Sequence, residues 1–177
     1  MRYTWTILFL STIVVANWLT TEFGFVAVGF GLAATAGTYA AGLALGLRDV
    51  LQDHAGRLWV LGTILVGGGI SYIAADPFIA VASVTAFTVS ELADWLIYTP
   101  LRGKAESGGA RWSGAVTASN LVGAIIDTAI FVGIAFGAAA ISGAMAGQLV
   151  GKLWATLMVL IPFWIARVAV SHRLRSS

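Results

Sequence analysis

The chain of 177 residues contains no cysteine, only two histidines and few charged residues. Without cysteine it can form neither a disulfide nor a thiolate-bound metal site. His54 and His172 both fall near ends of predicted helices, so no metal or other cofactor is expected. No P-loop pattern (GxxxxGKS or GxxxxGKT) occurs, which excludes ATP hydrolysis through a P-loop of its own. The net charge of +2 is too small to predict binding to nucleic acid.

Charged residues make up 10% of the chain, whereas hydrophobic residues make up 59% and the mean hydropathy is +0.90. This composition lies outside the range of soluble globular domains, in which about 25% of the residues are charged. Apolar runs of about twenty residues are long enough to cross a bilayer as helices. The sequence therefore predicts an all-α integral membrane protein with no domain outside the membrane.

The apolar runs predict six transmembrane helices in a single domain that covers residues 1–177. The predicted spans are Thr4–Leu19, Phe25–Leu47, Leu58–Ala75, Phe78–Tyr98, Gly114–Ile141 and Met145–Val170. The basic residues near span ends fall on the side of the two termini, and the three loops on the other side contain none. Because basic loops stay in the cytoplasm, both termini are predicted to be cytoplasmic.

Two acidic residues, Glu91 and Asp94, lie within the fourth apolar run. An ionisable group inside the bilayer is unfavourable by about 2.5–3.5 kcal/mol or more, so it persists where it faces protein, water or a ligand. The spacing of three places both acids on neighbouring parts of one helix face, with Phe87 and Tyr98 a turn away on either side. Such a face can bind a flat heterocycle, because aromatic side chains stack on the ring and acids pair with its edge.

A similar face on the predicted fifth helix carries Asn120, Asp127 and Phe131. With a rise of about 1.5 Å per residue, Asp127 lies near the height of Lys152 in the sixth helix and of Asn17 in the first. These three residues are predicted to form a polar cluster in the outer half of the membrane. Asn17 and Asn120 have the alternative role of joining helices through hydrogen bonds.

The buried charges also have structural alternatives. Asp127 can pair with Lys152, and Asp94 can pair with Arg48, and each ion pair explains the charges as well as contact with a ligand does. Glu91 has no basic residue at its predicted depth, which favours a functional role. Glu91→Gln is therefore predicted to abolish function and leave the fold nearly intact.

Small residues and a proline in the predicted sixth helix are assigned to packing. Gly143, Gly147 and Gly151 form a GxxxGxxxG pattern, which is typical of close contacts between membrane helices. Pro162 is predicted to kink this helix, with gating as the alternative.

Three segments carry a family resemblance: AGLALGLRDVLQD, AVASVTAFTVSELADWLIYTPLR, and RWSGAVTASNLVGAIIDTAIFVGIAFG followed by GKLW. The combination of SELADxxxY, SNx6D and a late GK resembles the vitamin uptake transporter family, also called queuosine precursor transporters, between Gly37 and Trp154. The resemblance implies a six-helix, multi-pass importer in the inner (cytoplasmic) membrane. Its implied substrate is 7-cyano-7-deazaguanine (preQ0) or the aminomethyl relative preQ1, salvaged for the tRNA base queuosine or for deazaguanine modification of DNA.

The resemblance and the two helix faces together give a set of candidate site residues. The predicted substrate-binding residues are Asn17, Phe87, Ser90, Glu91, Asp94, Tyr98, Ser119, Asn120, Asp127, Phe131 and Lys152. Structural or gating roles are assigned to Arg48, Asp49, Gly147, Gly151 and Pro162. A carboxylate accepts the ring N–H and the exocyclic amine of a deazaguanine as a bidentate pair, and Glu91, Asp94 and Asp127 are the alternatives for this role. Asn120 can read the carbonyl group, while the aromatic residues can cover the ring.

Several functions remain open at this point. A buried acid suits a proton-coupled carrier, but facilitated diffusion or a substrate-binding subunit of an ATP-driven vitamin importer fits the same sequence. An enzyme is not expected, because the spans contain neither a Ser–His pair nor a histidine cluster. A structural membrane protein is the alternative outside transport, although it would not need Glu91. The expected partners are the lipid bilayer and a small-molecule substrate, with a homo-oligomer left open.

Overall fold

The computed structural model describes the backbone of residues 2–102 and 110–175. It describes the side chains of residues 2–48, 51–52, 54–93, 96, 118, 121–155 and 157–158. This part of the chain forms six helices and one β-hairpin. The elements are α1 (Arg2–Phe23), β1 (Phe25–Gly29), β2 (Leu32–Thr35), α2 (Thr38–Ala55), α3 (Arg57–Ala74), α4 (Pro77–Arg102), α5 (Ala110–Phe136) and α6 (Ala138–Arg175).

The six helices form a closed ring. Helix α1 packs against α2 and α3, α2 packs against α6, α6 against α5, α5 against α4, and α4 against α3. The hairpin lies against α6, mainly through β2. In this ring α1 and α5 stand on opposite sides, so their inward-facing side chains face each other across the interior.

The hairpin replaces the first half of the predicted second helix, and the prediction of a helix from Phe25 is wrong. Strands β1 and β2 pair antiparallel, with Phe25 opposite Thr35. Gly29, Phe30 and Gly31 make the turn with φ angles of 95°, 56° and 72°. Glycine adopts such left-handed angles readily, whereas they are unusual for phenylalanine. A short apolar run does not by itself distinguish a strand from a buried helix, which explains the error.

The turns between other helices have identifiable local causes. Gly137, with a φ angle of 87°, ends α5 at Phe136, five residues before the predicted end. At the start of α4, the carboxylate of Asp76 accepts hydrogen bonds from the backbone N–H groups of Phe78 (2.8 Å) and Ile79 (3.0 Å). A side-chain oxygen at this position satisfies N–H groups that the helix leaves free.

An apolar core fills the end of the ring that contains the start of α1 and the end of α2. Its buried members are Phe9, Ile13, Ala44, Leu51, Val60, Ile64 and Phe87. Large apolar side chains also cover the outside of the ring, including Ile73, Leu121 and Leu153, which are all more than half exposed. An outer surface of this kind is typical of a protein that contacts lipid.

Two of the described helices, α1 and α3, are long and apolar enough to cross a membrane. Shorter apolar segments occur in α4, over Pro77–Ala93, and in α5, over Leu121–Phe136. The helical architecture agrees with the predicted all-α class. The number of membrane spans, the single transmembrane domain and the side of the termini remain predictions.

Candidate functional site

A polar cavity opens inside the ring next to the apolar core, and Phe87 belongs to both. It encloses about 350 Å³ of empty space when the open solvent at its mouth is counted. Every described helix except α3 contributes to its wall, as does strand β2. The described lining residues are Ala16, Asn17, Thr20, Thr35, Gly37, Thr38, Ala41, Ser83, Phe87, Asp127, Phe131, Gln148 and Lys152.

An ion pair between α5 and α6 forms one side of the cavity. The ammonium group of Lys152 lies 2.5 Å from Oδ2 of Asp127 and donates a hydrogen bond to the hydroxyl of Thr128 at 2.8 Å. The side chains of Lys152 and Asp127 are only 6% and 8% exposed. The predicted pairing is thus confirmed, and the two opposite charges balance each other at the cavity wall.

A closed ring of hydrogen bonds joins the hairpin to α2 and α6. Gln148 Nε2 donates to Thr35 Oγ1 at 2.9 Å, and the Thr38 hydroxyl donates to Gln148 Oε1. The two threonine hydroxyls are 3.0 Å apart. Because the Thr38 hydrogen is used on Gln148, the hydroxyl of Thr35 must donate to Thr38. The ring therefore uses both hydroxyl hydrogens and one of the two Nε2 hydrogens.

Glycines in α6 allow the hairpin and α2 to approach closely. A Cβ atom on Gly147 would lie 1.9 Å from the carbonyl oxygen of Ala33 in β2, and one on Gly151 would lie 2.7 Å from the Thr38 side chain. The prediction of close helix contact is confirmed for Gly151, which meets α2. Gly147 instead meets a strand, and a Cβ on Gly143 would have no neighbour within 4 Å.

Trp154 on α6 contacts strand β1 of the hairpin. Its indole N–H donates to the carbonyl oxygen of Val28 at 3.2 Å, and its ring lies parallel to that of Phe30, with 6.5 Å between ring centroids. Strand pairing shifts between Ala27 and Gly29, so Val28 has no partner residue in β2. The indole thus supplies a donor where the strand ladder is interrupted.

Asn17 contributes an amide from α1, on the opposite side of the ring from Asp127. The residue is 2% exposed, and its Nδ2 atom has no hydrogen-bond partner within the described part of the chain. Phe87 and Phe131 add aromatic rings to the wall from α4 and α5. The structure therefore brings together Asn17, Asp127 and Lys152, as the depth of each residue predicts.

Glu91 and Arg48 form a second buried ion pair, and this overturns the prediction that Glu91 has no basic partner. Arg48 Nη1 lies 3.2 Å from Glu91 Oε2, and the side chains are 4% and 3% exposed. Neither residue is among the described residues that line the cavity. Ser90 is buried beside Glu91, and its hydroxyl donates to the carbonyl oxygen of Phe87 at 3.1 Å.

Six predicted site residues have side chains outside the described part of the chain. They are Asp49, Asp94, Tyr98, Ser119, Asn120 and Pro162. The predicted pairing of Asp94 with Arg48 belongs to this group. The partner that the structure gives to Arg48 is Glu91.

Sequence reasoning missed several hydroxyl groups and one amide of the cavity. The hydroxyl-bearing residues of the lining are Thr20, Thr35, Thr38 and Ser83. Thr35 could not be predicted as a cavity residue, because its segment was predicted to be helical. Gln148 could have been identified, because it lies four residues before Lys152 and therefore on the same face of α6. Within the described residues, no group of three His, Cys, Asp or Glu side chains could hold a metal ion.

The arrangement can bind a flat, polar molecule, since it combines aromatic rings with donors and a carboxylate. A comparison with known families gives a match over residues 4–166 to the model described as "Putative vitamin uptake transporter". Neither a curated protein nor a solved structure matches the chain significantly. The family match and the apolar helices α1 and α3 agree on a membrane protein.

Proposed function

We propose, from the premise that this chain belongs to the family of putative vitamin uptake transporters, that it imports a 7-deazaguanine precursor of queuosine. The substrate is preQ0, preQ1 or both. Membership of a transporter family agrees with a protein that moves its substrate across the membrane and does not convert it chemically. The finer choice of substrate is supported by the sequence motifs and by the chemistry of the cavity.

The observation that carries this proposal is the polar cavity inside an apolar ring of helices. Polar and charged groups in the membrane are unfavourable unless they bind one another, water or a ligand. Asp127, Lys152, Asn17 and Gln148 all reach the same cavity, together with two aromatic residues. A flat heterocycle with several donors and acceptors would use each of these groups.

Asp127 is the carboxylate best placed to bind the substrate edge. Lys152 holds its Oδ2 atom, and a carboxylate oxygen can accept more than one hydrogen bond. The ring N–H and exocyclic amine of a deazaguanine would therefore meet Asp127, and Phe87 or Phe131 would cover the ring face. Among the predicted alternatives, Glu91 pairs with Arg48 away from the described cavity wall.

Uptake by whole cells tests the proposed function. Cells that lack their own precursor synthesis and their own importer would be given the chain and fed preQ0 or preQ1, and queuosine would be measured in their tRNA. We expect queuosine to appear only in cells that make the chain. Thr85→Val is a matched control variant on α4, because the Thr85 hydroxyl bonds to the carbonyl oxygen of Val81 outside the cavity. No queuosine from either precursor, with the chain present in the membrane, would reject the proposal.

The same cells can distinguish the modes of energy coupling. A proton-coupled carrier requires a proton gradient, so an uncoupler should reduce initial uptake. Uptake by facilitated diffusion would be insensitive to the uncoupler when consumption in the cell is held constant. Co-purification of an ATPase would instead indicate the binding subunit of an ATP-driven importer.

We place the chain in the inner membrane, with six spans and both termini in the cytoplasm. The proposal rests on the position of the basic loops. Reporter fusions at Ser177 and within residues 103–109 should both be cytoplasmic. An external reporter at either position would reverse the orientation.

A further inference from the structure

The amide of Asn17 is a buried donor that has no partner in the described protein. Asn17 lines the cavity, and its Nδ2 atom carries two hydrogens and is shielded from solvent. A buried polar group without a hydrogen bond is unfavourable for folding. An acceptor supplied by a bound ligand would satisfy this group.

A second donor lies on α6, next to the same cavity. Gln148 uses one Nε2 hydrogen within the ring formed with Thr35 and Thr38, so the other hydrogen lies outside that ring. The conclusion does not depend on the assignment of the amide oxygen and nitrogen. If they are exchanged, the direction of the ring reverses and one amide hydrogen still remains.

The cavity wall therefore has two chemically different sides. Asn17 and Gln148 contribute amide groups to the wall from α1 and α6, whereas Asp127 contributes a carboxylate from α5 beside the ammonium group of Lys152. Helices α1 and α5 stand on opposite sides of the ring. A ligand that contacts both residues can direct an acceptor toward Asn17 and donors toward Asp127.

We propose that Asn17 determines specificity by donating a hydrogen bond from Nδ2 to a carbonyl oxygen of the ligand, with Gln148 as the adjacent donor. This inference rests on the proposed function, since a deazaguanine carries a ring carbonyl beside its N–H and amine donors. It assigns the carbonyl to Asn17 in α1. On the sequence alone, Asn120 can also read this carbonyl.

Binding of preQ0 to the purified, detergent-solubilised chain tests the assignment by calorimetry. Asn17→Leu removes the donor and keeps a similar side-chain size. We expect it to weaken preQ0 binding about tenfold or more, which corresponds to about 1.4 kcal/mol. The thermal midpoint of the ligand-free variant should equal or exceed that of the unchanged chain, because an unsatisfied buried amide has been removed.

Weaker preQ0 binding together with an equal or higher thermal midpoint distinguishes a residue that recognises the ligand from one that supports the fold. A residue that only supports the fold would lower the thermal midpoint when replaced. Gln52→Leu is the matched control, since Gln52 Oε1 is also buried without a hydrogen-bond partner in the described residues but lies outside the cavity lining. Its replacement should leave preQ0 affinity within twofold of the unchanged chain.

A ligand change tests which atom Asn17 contacts. The 6-thio analogue of preQ0 keeps the ring N–H but replaces the carbonyl oxygen with sulfur, a weaker acceptor. The unchanged chain should prefer preQ0 over this analogue, and Asn17→Leu should lose most of that preference.

Three outcomes would overturn the inference. Unchanged preQ0 affinity in Asn17→Leu would remove Asn17 from recognition while leaving the proposed function intact. A thermal midpoint several degrees lower in the ligand-free variant would make Asn17 structural, again without affecting the proposed function. Absence of preQ0 and preQ1 binding to the unchanged chain would reject the proposed function and this inference together.

Discussion

Two buried ion pairs of the same chemistry occupy different surroundings in this protein. Asp127 and Lys152 join neighbouring helices α5 and α6, contact Thr128 and line a polar cavity. Arg48 and Glu91 join α2 to α4, which are not neighbours in the ring. The first pair lies at the cavity wall, whereas the second connects two helices across the interior.

The neighbours of Arg48 and Glu91 explain the second role. Ala44 and Leu51 lie within a turn of Arg48 on α2, and Phe87 lies one turn before Glu91 on α4. All three belong to the apolar core. A charge in such surroundings depends strongly on its partner, because little else can solvate it. The comparison thus separates a pair beside the apolar core from a pair at the cavity wall.

Breaking the pair beside the apolar core should have the largest effect. Arg48→Met leaves Glu91 without this partner and should lower the free energy of unfolding by about 3–5 kcal/mol, as should Glu91→Gln. The double variant Arg48→Met with Glu91→Leu should be milder than either single change. Thermal unfolding in detergent, with variants ranked by midpoint, measures the effect.

Precursor binding sharpens this first prediction. The folded fraction of Glu91→Gln should bind preQ0 within twofold of the unchanged chain, since Glu91 is not among the described lining residues. The sequence alone had predicted the reverse, a stable fold and lost function. Normal stability with lost binding would restore that earlier view and make Glu91 a ligand contact.

Breaking the cavity pair should reduce stability less and binding more. Lys152→Met leaves Asp127 beside Thr128 and the open cavity, so we expect a loss of about 1.5–3 kcal/mol, typical of hydrogen bonds to charged groups. A double-mutant cycle with Asp127→Asn measures the coupling between the two side chains. Asp127→Asn should also weaken preQ0 binding. Additive stability losses would show that the pair contributes no coupling energy.

The two pairs also show what a single sequence could predict. The rise per residue gives the height of each polar group, and this was sufficient to predict that Asp127 meets Lys152. It does not give the direction of a side chain around the helix axis, so it does not distinguish Asp94 from Glu91 as the partner of Arg48, and the structure pairs Arg48 with Glu91. Those two acids are three residues apart and differ little in height.

The hairpin could not be predicted for a different reason. Its apolar residues satisfy the length and hydropathy of a membrane helix, and only the Gly29–Phe30–Gly31 turn indicates otherwise. Irregular backbone is tolerated at membrane depth where it is buried in protein or lines a cavity. Thr35 meets this condition through its hydrogen bond with Gln148. The position of the hairpin therefore depends on contacts with α6 that are distant in sequence.

A smaller change on α6 should disturb the cavity through the hairpin. Gly147→Ala places a Cβ atom 1.9 Å from the carbonyl oxygen of Ala33, so the strand must move. We expect a stability loss of about 1–3 kcal/mol, typical of overpacking, and weaker preQ0 binding because Thr35 moves with the strand. Gly143→Ala is the matched control. It has open space around the new atom and should be neutral or stabilising by about 0.5–1 kcal/mol.

The smallest effect is expected at Trp154, where the hairpin is held by one hydrogen bond and one ring contact. Trp154→Phe removes the indole N–H that reaches the Val28 carbonyl and keeps an aromatic ring near Phe30. The loss should be about 0.5–1.5 kcal/mol, the contribution of a single hydrogen bond. Trp18→Phe, at an exposed aromatic position on α1, controls for the change in ring size. A loss as large as that of Gly147→Ala would contradict this order. It would show that the indole hydrogen bond to Val28 holds the hairpin against α6 at least as strongly as the close approach of Gly147 to Ala33 does.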